Sequence, residues 1–198
     1  MNTLPESILQ HAQSLAEGGV LSPKEFLHLG SRAAVDQAFS RLAKEGKLLR
    51  ITRGTYVAPL VGRFGACPPA LDKVVEAMAE QTGEIVAHHG ASAANLLGLT
   101  RQAPTRKIYL TSGRTRKLRL GSMEVLVIHA PHWMLALGTS PAGTAVRALA
   151  WIGPAHAGKA LVALRRTLPP LEWQALASAR AILPSWMAQA IGRESLRG

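Results

Sequence analysis

Ser22, Lys24, Ser31, Arg32, Gln37, Ser40, Arg41, Lys44, Arg50, Thr52, Arg53 and Thr55 are side chains whose types and spacing suit contact with a nucleic-acid duplex. Ser22, Lys24 and Ser31 fall where helices are expected to begin, and the free backbone N–H groups and dipole of a helix start attract phosphate. Arg32, Gln37, Ser40, Arg41 and Lys44 lie off the apolar face of one expected helix, from which side chains of these types reach base edges. Arg50, Thr52, Arg53 and Thr55 belong to an expected hairpin and its tip, which would set them beside the phosphate backbone or in the minor groove. Ala33 and Ala34 are small enough to let the front of the helix come close to DNA.

The elements that must carry these residues follow from periodicity. Leu4, Ile8, Leu9, Ala12 and Leu15 recur at helical spacing, and Gly18-Gly19 stops that helix. Val20-Leu21 is a short apolar stretch. Ser22-Pro23 reads as an N-cap followed by proline at the first helical position, opening a brief helix from Pro23 to Leu29. Ser31 caps a third helix that runs through Lys44 to Gly46, with Val35, Ala38, Phe39 and Leu42 on one face. From Lys47 the period becomes two: Leu49 and Ile51 face one way, Arg50 and Thr52 the other, and Arg53-Gly54 turns the chain into Thr55-Tyr56-Val57. Helix, strand, helix, tight turn, helix and hairpin is the order of a winged helix-turn-helix domain, expected over residues 1–60. The third helix would enter the major groove. Asp36 on that helix would repel phosphate, and winged helices also serve as protein-interaction modules.

Residues 61–69, rich in glycine and proline, read as a linker. Residues 70–198 read as a mixed α/β domain. A helix is expected from Ala70 to Gln81, and a short strand from Glu84 to His88. A small-residue helix follows from Gly90 to Gly98. Strands are expected over Arg106–Thr111, Lys117–Leu120 and Met123–His129, the first two joined through Ser112-Gly113-Arg114. Pro141–Ile152 reads as an apolar helix, and a mostly helical tail runs to Ile191. The expected class is therefore α+β, an N-terminal winged helix-turn-helix followed by a C-terminal mixed α/β domain. Trp133, Trp151, Trp173 and Trp186 are expected in the core, and any one exposed would make a partner anchor.

The chain of 198 residues carries a net charge of +11, and 47% of its residues are hydrophobic. Residues 101–130 hold seven Lys/Arg against one acidic residue. Such a balance favours a polyanionic partner. Arg101, Arg106, Lys107, Arg114, Arg116, Lys117 and Arg119 form this second basic surface. On a two-residue period Lys117 and Arg119 share a face and Arg116, Leu118 and Leu120 the other; Ile108 and Leu110 alternate with Lys107 and Tyr109. The surface suits nucleic-acid phosphates or an acidic protein face; it also suits a charged edge that blunts aggregation. No apolar run approaches the roughly 18 uncharged residues of a membrane span. Met1 to Ile8 lack a basic start and an apolar core, so no secretory signal is expected, and a single cysteine, Cys67, suits a reducing cytoplasm.

Enzymatic chemistry finds little support. His88-His89 would point to opposite sides of a strand, with no Cys or carboxylate at ligand spacing. Cys67 lies among no neighbouring cations. The two aspartates, Asp36 and Asp72, both fall on expected helices, so no carboxylate cluster is available to hold magnesium. No phosphate loop ending in Lys-Ser/Thr occurs. No catalytic residue, metal or cofactor is expected.

The run "SRAAVDQAFSRLAKEGKLLRITRGTYV", the "GASAANLLGL" helix and the strand "RKIYLTSG" together resemble the AbiEi-type antitoxins of type IV toxin–antitoxin systems, over roughly residues 5 to 155. The resemblance implies a winged helix that binds double-stranded DNA at the promoter of its own operon and represses it. It also implies a C-terminal α/β domain that counters a nucleotidyltransferase-like toxin, without necessarily forming a stable complex with it. By that resemblance Arg32, Gln37, Ser40 and Arg41 match the reading helix, Arg50, Arg53 and Gly54 match the wing, and Tyr56 matches an aromatic packed beneath it. The likeness ends near Gly153. The alternative is a stand-alone winged-helix regulator whose C-terminal domain senses a ligand or binds nucleic acid.

Overall fold

The computed structural model describes residues 3–63 and 65–197. Helices and strands alternate irregularly, as the α+β class requires, and the chain divides into two compact units, Met1–Gly83 with Lys117–Val125, and Glu84–Arg116 with Leu126–Gly198.

The first unit begins with α1 (Leu4–Ser14), held at its start by a capping box in which Glu6 accepts from the Thr3 N–H at 2.7 Å. A two-residue strand, β1 (Val20–Leu21), leads into Pro23–Phe26, which is a single 3-10 turn where a longer helix was expected. Ser22 accepts from the Lys24 N–H and Glu25 closes back on the Ser22 N–H at 2.8 Å, so both ends of the short Ser22–Glu25 box are satisfied within one turn. Helix α2 (Arg32–Lys44) and the hairpin of β2 (Leu49–Thr52) and β3 (Thr55–Val57) follow in the expected order, and β1, β3 and β2 form an antiparallel sheet.

One detail of the hairpin differs from strict alternation. Leu48 and Ile51 are buried and Leu49 is only partly so, because Arg50 pairs with Tyr56 and Thr52 with Thr55, leaving Ile51 as a bulge. Beneath α2, Ile8, Leu21, Phe26, Val35, Phe39 and Leu42 close the core. Phe39 lies against Phe26 and Tyr56, with ring centroids 5.5 and 4.8 Å apart.

The segment expected as a linker is structured. β4 (Leu60–Gly62) and β5 (Gly65–Cys67) pair as a second small hairpin; Phe64, within that segment, lies outside the described residues. The first unit then continues through α3 (Leu71–Thr82), so the division between units falls at Gly83, beyond the proline-rich segment. Helix α3 starts at Ala70, which has no capping side chain; Glu17 supplies that function, accepting from the Ala70 N–H at 3.1 Å and from Lys73.

The second unit contains β6 (Val86–His88), α4 (Gly90–Leu96) and β7 (Lys107–Thr111). The strands β8 (Arg116–Leu120) and β9 (Met123–His129) complete a four-stranded sheet in the order β6-β7-β9-β8. Thus β7 neighbours β9, and β7 and β8, though joined through Ser112-Gly113-Arg114, are not adjacent in the sheet. β8 and β9 are separated only by Gly121-Ser122, with Gly121 at φ +63°, a geometry that closes a hairpin locally. Both Tyr109 and Leu110 of β7 are buried, so this strand is covered on both faces and its expected alternation is lost.

The C-terminal part is helical: α5 (His132–Leu135), α6 (Pro141–Ile152), α7 (Ala157–Thr167), α8 (Pro170–Ser178) and α9 (Ser185–Ser195). Val146, Leu149, Leu161, Leu164, Leu176 and Met187 lie at the centre of their core. Helix α4 lies on α6 through Ala93, Ala94 and Ala148, small residues that permit close approach. Trp133, Trp173 and Trp186 pack against the core as expected, whereas Trp151 is 44% exposed. No described helix is long and apolar enough to cross a membrane.

Candidate nucleic-acid interface

Ser31 accepts from the Ala34 N–H at 3.3 Å and so fixes the start of α2, and Gly46 at φ +72° lets the chain leave it. Between them the buried stripe of Val35, Ala38, Phe39 and Leu42 fixes the rotation of the helix. At about 100° per residue, Ala33, Gln37, Ser40 and Lys44 then point opposite the core, and all four are exposed. Arg41 is exposed on the flank, and Ser22, Lys24 and Ser31 sit at the two helix starts.

Arg32, Ser40 and Lys44 from α2 share one groove with Arg50, Arg53 and Gly54 from the hairpin, a cleft of about 530 Å³. Six of the expected residues or their immediate turn are therefore brought together. Gln37, Arg41, Ser22, Lys24, Ser31, Thr52 and Thr55 do not line it; Thr52 and Thr55 pair with each other across the hairpin. Gly54 holds φ +74°, the conformation that ends the hairpin in two residues. Tyr56, expected beneath the wing, is buried against Phe39 and forms part of the groove wall. Pro23, expected only as the first residue of its helix, and Ala43, partly buried one turn from Ser40 and Phe39, also line the groove, a role the sequence reading did not give either of them.

The groove is cationic with one internal counter-charge. Arg32 Nε donates to the Asp36 carboxylate at 2.8 Å, an i,i+4 pair on the surface of α2. Among the described residues Lys44, Arg50 and Arg53 are in no ion pair. Three unneutralised cations and one paired arginine on facing walls can hold a phosphodiester strand by charge and by guanidinium hydrogen bonds.

The second basic surface is divided. Arg101, Arg106, Lys107 and Arg114 are exposed in the second unit, while Lys117 and Arg119 are exposed on β8 in the portion that belongs to the first. Leu118 and Leu120 are buried, as the alternation predicts. Arg116 is not a free surface cation: it pairs with Glu84 at 2.7 Å, and Glu84 also accepts from Thr111 Oγ1 at 2.9 Å. Gly113 passes so near that carboxylate that a Cβ would collide with it, so this loop is built around the ion pair.

His88 lies beside Tyr109, ring centroids 5.2 Å apart, and His89 leaves the strand to cap α4, its Nδ1 accepting from the Ala91 N–H at 3.3 Å. Cys67 is exposed on β5. Among the described residues no three of His, Cys, Asp and Glu gather as a metal-binding group.

Comparison with known proteins adds three findings. The crystal structure of the RV2827C protein from Mycobacterium tuberculosis is similar, with a TM-score of 0.54 and 15% identity, covering 98% of this chain and 76% of that one; at this identity the likeness concerns the fold. No curated protein matches the sequence. A family model described as a family of unknown function, DUF6088, matches residues 7–163.

Proposed function

We propose, for a chain that belongs to the DUF6088 family, a double-stranded-DNA-binding regulator whose first unit works as a winged helix. The observation that carries this reading is the groove in which Arg32 and Lys44 of α2 face Arg50 and Arg53 of the hairpin. A sugar–phosphate strand lying along it would be gripped from both sides. The same placement would lower the outer face of α2, with Gln37 and Ser40, onto base edges. The charge of +11 supports the reading, since neutralising phosphates releases counterions and supplies most of the affinity.

The target is the promoter of the chain's own operon, in the cytoplasm, and the protein acts as an antitoxin that opposes a nucleotidyltransferase-like toxin without needing a stable complex with it. The likeness of "SRAAVDQAFSRLAKEGKLLRITRGTYV" and the following segments to AbiEi-type antitoxins supports this part. No catalytic step, metal or cofactor is involved.

A mobility-shift assay on the chain's own upstream region tests the DNA half, with a scrambled duplex as competitor. Specific retardation that Arg50→Ala with Arg53→Ala removes is expected; retardation unchanged by that double variant would reject the groove. Co-expression with an adjacent nucleotidyltransferase-like gene tests the antitoxin half, through recovery of growth.

A further inference from the structure

The second unit contains a cation that ion pairing does not explain. Arg147, in the middle of α6, is 2% exposed. Its Nη1 donates to the carbonyls of Met134 at 3.2 Å and Gly138 at 2.8 Å, and Nη2 donates to Thr144 Oγ1 at 3.2 Å. Nε is buried with no acceptor, and no described carboxylate lies within ion-pair distance. Burial lowers the guanidinium pKa to about 10, which still leaves it charged near neutrality. Fastening two carbonyls at the end of α5 needs hydrogen-bond donors but no charge. A charge retained in the interior without a counter-ion is costly.

Arg147 lines a pocket of about 430 Å³ together with His89, His129, Leu110, Met134 and Trp151, a volume in the range of small-ligand sites, roughly 300–1,000 Å³. No acidic residue lines it. His89 Nδ1 accepts the Ala91 N–H, so the ring proton sits on Nε2 as a donor. His129 Nδ1 lies 2.8 Å from the Gly113 carbonyl, which can only accept, so that nitrogen carries its proton. The wall depends on a close helix crossing: a Cβ at Gly90 would lie 2.5 Å from Trp151 Cβ and 2.6 Å from the Arg147 carbonyl oxygen. The indole of Trp151, at the rim, offers an apolar plane.

We propose that this pocket binds a small organic oxyanion, its carboxylate or phosphate balanced by Arg147 and met by the His89 Nε2–H, with a flat or apolar body against Trp151. Nothing in this depends on the first unit or on DNA. The missing counter-ion and the absence of any acidic lining select for anions, and the indole selects against bare inorganic ions.

Phenyl phosphate, benzoate and uncharged benzyl alcohol are the probes, titrated into the full-length chain while the indole N–H resonances are followed by NMR, with Trp151→Phe assigning the Trp151 signal. A saturable shift of that signal with phenyl phosphate or benzoate, at least ten-fold weaker with benzyl alcohol, is expected. Response to phenyl phosphate alone identifies a phosphate site, and response to benzoate alone a carboxylate site. His89→Asn, which keeps a capping side chain for α4, should weaken binding at least five-fold, and Arg147→Gln should abolish it. If Arg147→Gln fails to fold, the His89→Asn comparison and the wild-type selectivity decide. No shift with either anion, equal shifts with benzyl alcohol, or undiminished binding by His89→Asn would overturn the proposal.

Discussion

Arg32 and Asp36 are joined by a 2.8 Å hydrogen bond one turn apart on α2, so the first cation of the groove faces its own carboxylate before it can face a phosphate. Such an exposed pair, with the cation nearer the helix start, contributes at most about 0.3–0.5 kcal/mol to the helix. Its larger effect is on the field in the groove. Asp36→Asn should leave the melting temperature within a degree or two of wild type. The same change should raise duplex affinity two- to five-fold at low salt, the gain fading as screening increases. Fluorescence anisotropy across a salt series checks this, and weaker binding by Asp36→Asn would place the duplex elsewhere.

Arg50 and Arg53 lie on the opposite wall and are assigned to the backbone. Replacing either by Ala should weaken binding to every duplex alike and reduce the slope of log K against log salt by about 0.9. Gln37, on the outer face of α2, should behave differently: Gln37→Ala should cost about 1–3 kcal/mol on the preferred operator and little on a scrambled one. Parallel salt titrations on the two duplexes separate these outcomes. Identical losses on both duplexes for Gln37→Ala would remove it from the reading face.

Local signals in the sequence carried α2 and its hairpin. Ser31, Gly46, the stripe Val35-Ala38-Phe39-Leu42 and Arg53-Gly54 each act within a few residues, and the structure forms those elements. The cluster of Arg32, Ser40, Lys44, Arg50 and Arg53 followed from helix rotation plus hairpin direction. What was not legible depends on distant partners. β4 and β5 are exposed throughout, with Val61 89% exposed, so they lack the one-sided apolar alternation that marks a strand. The insertion of β9 between β7 and β8, and the capture of Arg116 by Glu84, require contacts across tens of residues. Arg147 stood in an apolar helical run with no marker of its burial.

Glu17 and Lys73 give a pH-dependent test of the first unit. The hydrogen bond from Lys73, with that from the Ala70 N–H, holds the Glu17 carboxyl below its ordinary value of 4.5. A carboxyl depressed on folding stabilises the native state fully above its unfolded pKa, and the contribution disappears as pH falls through the folded value. Glu17→Gln should therefore melt earlier than wild type near neutrality. The two melting curves should draw together as pH drops below 4.5. A difference that persists unchanged into strong acid would show that the carboxylate charge is not what holds the start of α3.

Gly54 separates the role of wing geometry from that of wing charge. A Cβ there meets nothing within 4 Å, so an alanine has room, yet its φ of +74° is disfavoured for residues with a Cβ. Gly54→Ala should cost roughly 1–2 kcal/mol of stability through backbone strain alone. Relief of that strain would open the tip beside Arg53 and lower duplex affinity with no charge removed, so the salt slope should stay near wild type. Gly54→Asn, whose side chain tolerates the left-handed region, should recover most of both losses. Thermal melts and salt-dependent anisotropy on the same three proteins measure this. If Gly54→Ala binds as tightly as wild type while losing stability, the tip does not need its tight turn to hold Arg53 on the phosphate strand.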